Sequence, residues 1–159
     1  GWYYLPFQKK PKTSDWWKMD PDKREKRKGP VMEISAEIRE KEDGLEIALK
    51  AAGVNHAPYR VEIEVQGAEW LWNQHIMIPA ENGKSAVIRE GKIYLSSQDE
   101  TVEIGPGFGE HMYTDGRFGS EPHSNQAFTV FFTGYTELDK TIQIRIRPEG
   151  MKITGGQNE

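Results

Sequence analysis

The sequence predicts an all-β protein: an antiparallel two-sheet β-sandwich of jelly-roll type, with about nine to ten strands and an extended aromatic arm at its N-terminus. Three observations predict it. From Val31 onward, apolar residues recur with a period of two. The apolar runs are short, follow each other at roughly ten-residue spacing, and are punctuated by Gly, Asn and Asp turn signals. No segment between them carries the pattern of a strong helix.

The arm comes first. Trp2, Tyr3, Tyr4, Leu5, Phe7, Trp16 and Trp17 crowd into residues 1–30 together with Pro6, Pro11, Pro21 and Pro30. The prolines forbid one long helix. So many aromatics are poorly placed in water, so Trp2, Tyr3, Tyr4, Trp16 and Trp17 are expected to dock on a surface, the protein's own or a partner's. Asp20-Pro21 is suited to start a short helix, as N-cap and first helical residue. The basic run from Lys23 to Lys28 reads as a solvated linker or helix face.

The sandwich is expected over residues 31–150. Met32, Ile34, Ala36 and Ile38 alternate with polar residues, Glu42-Asp43-Gly44 turns the chain, and Leu45, Ile47, Leu49 and Ala51 alternate again, a hairpin pattern. Tyr59, Val61, Ile63 and Val65 form a third strand that ends at Gln66-Gly67. Trp70 and Trp72 share one strand face and Ile76 and Ile78 another, before an Asn82-Gly83 turn. Short strands follow at 86–89, 92–96 and 101–104. The run AFTVFFT (127–133) suits a central strand buried on both faces, and TIQIRIR (141–147) puts Ile142, Ile144 and Ile146 inward. Residues 151–159 read as a flexible tail.

Composition narrows the function. The net charge of −4 argues against general nucleic-acid binding. There is no cysteine, hence no disulfide framework or thiol chemistry. No apolar run approaches the roughly 20 residues that span a bilayer, and no stretch reads as a signal peptide. The chain starts at Gly1 rather than Met, and an excised or processed piece is expected.

Candidate chemistry gathers in the polar stretch from Glu103 to Asn125, which holds His111 and His123. The two could converge on a metal or an anion, but their spacing matches no metal motif, and hydrogen-bonded loop histidines are the plainer reading. No metal or other cofactor is expected. Gly105-Pro106-Gly107-Phe108-Gly109 lacks the following helix that a phosphate loop needs. It reads instead as a strand-ending turn that lets another backbone approach closely. Arg117 is suited to fork onto a carboxylate, either structural or on a uronic acid. Ser120 and Ser124 form no nucleophile arrangement with the histidines. Trp70 and Trp72 suit either an ordinary half-buried strand face or a platform for sugar rings.

Four segments together carry a family likeness: DWWKMDPDKREKRKGP (15–30), TVEIGPGFGEHMY (101–113), GRFGSEPHSN (116–125) and AFTVFFTGYTELDKTIQIRI (127–146). Over most of residues 13–147 the chain resembles the C-terminal β-sandwich that follows an α/α-toroid in bacterial polysaccharide-active proteins of the heparinase II/III-like type. The resemblance implies an accessory domain or subunit supporting a helical catalytic domain, in the same precursor chain or a separate one. It also implies that the long loop lines an acidic-oligosaccharide cleft, with His111, Tyr113, Arg117 and His123 facing the partner or the sugar. The family's catalytic residues lie mainly in the toroid, which this chain does not contain. Two alternatives are a stand-alone carbohydrate-binding module using Trp70, Trp72 and Arg117, and a lyase with Tyr113 or His111 as base and Arg117 neutralising a carboxylate. The bacterial cytoplasm and the exterior are both open as compartments, and neither nucleic acid nor membrane is an expected partner.

Overall fold

The structure is a computed structural model that describes residues 2–5, 14–15, 18, 24–98, 100–110 and 125–147. Twelve strands and no α-helix occur among the described residues. The chain divides into two compact units, Gly1–Met32 and Glu33–Glu159.

In the first unit, β1 (Trp2–Tyr4) pairs antiparallel with β2 (Lys26–Lys28), Trp2 opposite Lys28 and Tyr4 opposite Lys26. Arg24 closes this ribbon by donating from Nε to the Leu5 carbonyl at 2.6 Å and from Nη2 to the Tyr4 carbonyl at 3.0 Å. The Tyr4 ring lies under the Lys26 ammonium at 4.9 Å. The basic run is therefore in part an exposed strand rather than a linker or helix face, because its backbone pairs with the aromatic start of the chain. The expected helix start at Asp20-Pro21 lies outside the described residues.

The second unit is the sandwich. A seven-stranded sheet has the order β3 (Glu33–Lys41), β4 (Gly44–Ala52), β12 (Leu138–Arg147), β10 (Thr101–Gly105), β9 (Ile93–Ser96), β6 (Trp70–Trp72), β7 (Met77–Pro79). A three-stranded sheet has the order β5 (Pro58–Val65), β11 (Phe128–Tyr135), β8 (Ser85–Val87). All pairings are antiparallel except β8 with β11, which is parallel.

The alternation read in the sequence sets which face is buried. Leu71, Leu95, Ile104 and Ile142 of the large sheet share one core with Phe128, Val130 and Phe132 of the small one. The AFTVFFT run is the central strand of the small sheet and is buried on both faces, with Phe131 on the outer side beneath the Arg60 guanidinium at 4.8 Å.

The two sheets differ in width. With strands ~4.8 Å apart, seven span about 29 Å and three about 10 Å. The small sheet therefore covers only the middle of the large one. This is why Ile34 and Ile38, inward by parity on the edge strand, are 70% and 65% exposed. Ile146 shares β12 with the fully buried Ile142 and is 55% exposed because it lies near the end of that strand.

The Gly-Pro-Gly turn behaves as its residues suggest. Gly107 N–H donates to Gly91 O, and Gly109 N–H donates to Arg89 O, both at 2.8 Å. A Cβ on Gly107 would run into the backbone of Arg89 and Glu90, so only glycine permits the approach. Phe108, between these contacts, drops into the core against Phe132 with ring centres 4.9 Å apart.

Candidate functional site

The outer face of the large sheet carries the side chains that its core-facing neighbours leave exposed. In β6 the sequence Trp-Leu-Trp sends Leu71 into the core at 1% exposure and turns Trp70 and Trp72 outward. The same parity in β9 buries Ile93 and Leu95 and presents Tyr94. Antiparallel pairing sets Trp72 directly opposite Tyr94, and Trp70 opposite Ser96. Trp72 and Tyr94 stack with ring centres 4.2 Å apart and planes 17° from parallel. Trp70 is held beside them with 41% of its surface open to solvent.

Polar side chains rim this aromatic platform. The turn after β6 is tied by Asn73, whose Oδ1 accepts the N–H groups of His75 at 2.8 Å and Ile76 at 3.0 Å. Gln74 Nε2 and His75 Nε2 lie 2.9 Å apart. These residues, with Glu90, Lys92 and Tyr94, wall an open groove of about 540 Å³ at one end of the platform. A second groove of about 550 Å³ lies at the other end, beside Trp70, Glu69, Glu81 and Asn82.

Beside Tyr94, on the same face of the large sheet, an ion cluster is built around a buried carboxylate. Glu103 is only 2% exposed. Its Oε1 accepts from Lys92 Nζ at 2.7 Å, and its Oε2 accepts from Arg147 Nη2 at 2.7 Å and Nε at 3.1 Å. Burial pushes the Glu103 carboxyl up, but the hydrogen bonds and charges of Lys92 and Arg147 outweigh it and hold the group below the usual carboxylate range. The Arg147 guanidinium is raised in turn, chiefly by the hydrogen bond to Glu103. Lys92 is thereby anchored at the groove wall.

At the other end of the unit, Tyr59 is pushed up by burial and by the Glu110 charge. Its phenol stays protonated at neutral pH and suits a donor rather than a base. Glu110 Oε2 accepts from the Tyr135 N–H at 3.4 Å, and His56 stacks on Tyr135 at 4.2 Å.

The sequence candidates fare unevenly. Trp70 and Trp72 lie together on one exposed face. His111, Tyr113, Arg117 and His123 lie outside the described residues, as do Trp16 and Trp17. Trp2 and Tyr3 lie in β1, and Tyr4 is exposed. Glu103, which the sequence placed both in the 101–104 strand and at the head of the polar stretch, lies in β10 and is buried in the ion cluster. The reason is that its strand continues to Gly105, pairing with both β9 and β12. Among the described residues, no group of three His, Asp or Glu side chains is arranged to hold a metal ion.

Sequence reasoning missed Tyr94, Asn73, Lys92 and Arg147. The alternation Ile93-Tyr94-Leu95 does signal that Tyr94 points outward. That it meets Trp72 depends on β6 pairing with β9, about twenty residues on, which no local pattern shows. No protein-family model matches this sequence, and no curated protein and no solved structure matches it either.

Proposed function

We propose that this protein is a non-catalytic carbohydrate-recognition β-sandwich that serves a polysaccharide-processing catalytic domain and holds saccharide on the outer face of its large sheet. The observation that carries this reading is the Trp72–Tyr94 stack beside the exposed Trp70. A sugar ring has apolar C–H faces and a polar hydroxyl edge. Flat aromatic surface removes the first from water, and amide, imidazole and ammonium groups satisfy the second. Trp70 supplies the open surface, the Trp72–Tyr94 stack braces it, and Asn73, His75 and Lys92 stand at the groove beside them. The four quoted segments that resemble the heparinase II/III-like sandwich support the accessory role and a bacterial polysaccharide context.

Calorimetric titration of the full chain with acidic and neutral oligosaccharides tests the reading. Binding is expected, and Trp70→Ala is expected to abolish it while leaving the melting temperature unchanged, because Trp70 is 41% exposed. Absence of heat with both sugar classes, or binding that survives Trp70→Ala, would overturn it.

A further inference from the structure

The large sheet ends on two edges of very different character. The β7 edge is three residues long and finishes on Pro79, which blunts pairing. The β3 edge is nine residues long, contains no proline, and is exposed at every position. Its inward side chains Ile34 and Ile38 form an apolar patch with Leu45 and Ile146 that the small sheet does not reach.

We propose that β3 is a self-association strand: two copies of this chain pair β3 against β3, antiparallel, about a two-fold axis through Glu37. The charge order of the strand carries the argument. Its outer positions run Glu33, Ser35, Glu37, Arg39, Lys41, acidic first and basic last. In the antiparallel register that overlaps all nine residues, Glu33 faces Lys41 of the second copy, and Ser35 faces Arg39, each twice by symmetry. Parallel pairing in register would instead set Glu33 on Glu33 and Lys41 on Lys41.

Among the described residues neither Glu33 nor Lys41 has an ion-pair partner within its own chain. Glu37 meets its own mate at the axis, but each is already neutralised by its own Arg39 at 2.8 Å and has the other copy's Arg39 on the diagonal. On the inner face the same register puts Ile38 opposite Ala36 of the second copy, with that copy's Ile34 diagonal to it. Such diagonal neighbours are about 7–8 Å apart and within reach of long side chains. Glu40 falls opposite Ile34 near the rim, where its carboxylate reaches water. Charged edges ordinarily prevent sheet extension. Here their antisymmetric order permits one partner, a second copy, in one register.

Sedimentation equilibrium of the full chain over a concentration series tests this. A dimer is expected. Lys41→Glu and Glu33→Lys each place like charges opposite at two sites, and each is expected to weaken the dimer about tenfold. The double swap Glu33→Lys/Lys41→Glu restores opposite signs and is expected to recover the original affinity. A chain that stays monomeric at about 100 µM, single swaps that leave the dimer unchanged, or a double swap that fails to restore it would overturn the proposal.

Discussion

Glu103→Gln isolates the ion cluster beside Tyr94. The substitution keeps the side chain's shape and removes its charge, so it tests whether the carboxylate is held as an anion between Lys92 and Arg147. Three charge-assisted hydrogen bonds converge on a group that is 2% exposed. Removing one partner of a fully buried pair costs about 3–5 kcal/mol, because a charge is left stranded. Here the cations are not stranded, since their side chains are 42% and 25% exposed and regain water. The expected loss is therefore smaller, about 2–3 kcal/mol. For a chain of this size that corresponds to a melting temperature lower by about 5–10 °C.

The sign of the pH dependence follows from the depressed carboxyl. A group whose folded pKa lies below its unfolded value stabilises the fold above the unfolded value, near the usual carboxylate range. That contribution is lost as pH falls through the folded value. Urea unfolding followed by circular dichroism should then show the full gap between wild type and Glu103→Gln at about pH 7 and a shrinking gap below about pH 4. Other carboxylates titrate in both proteins and cancel in the difference. A gap under about 0.5 kcal/mol at neutral pH, or one that does not change on acidification, would refute the reasoning.

Two further substitutions probe the frame that carries the aromatic face. Phe132 is fully buried at the meeting of the sheets and packs on Phe108, so Phe132→Ala should lower unfolding free energy by about 3–5 kcal/mol. A loss under about 1 kcal/mol in urea unfolding would contradict a shared core. Gly107→Ala should destabilise by about 2 kcal/mol or more, because its Cβ meets a backbone that the Gly109–Arg89 hydrogen bond holds in place. Gly109→Ala should cost only about 1 kcal/mol, since its Cβ would enter open space and only the left-handed φ of 78° is penalised. The reverse order of the two melting temperatures would show that close approach is not what the turn requires.

Much of this architecture is legible in the residues, and the physical reason is periodicity. A strand with one buried face must alternate, so Ile93-Tyr94-Leu95 and Trp70-Leu71-Trp72 declare which side chains face out. Phe128 to Thr133, apolar on both parities apart from its threonines, declares a strand covered on both faces. The glycines at 105, 107 and 109 declare a turn, because a Cβ at 105 or 107 would collide with neighbouring backbone and 109 adopts a left-handed φ.

Tertiary structure decided what periodicity cannot reach. Which strands pair is a long-range matter, and it alone brings Trp72 onto Tyr94 and Glu103 between Lys92 and Arg147. The unequal widths of the sheets decided that Ile142 is core while Ile34 and Ile38, of the same parity class but on the edge strand, are open to solvent, and position along β12 decided that Ile146 near its end is open too. A local pattern states the direction of a side chain. Whether anything lies in that direction depends on how far the opposing sheet extends, across the strands and along them, and only the assembled fold sets that extent.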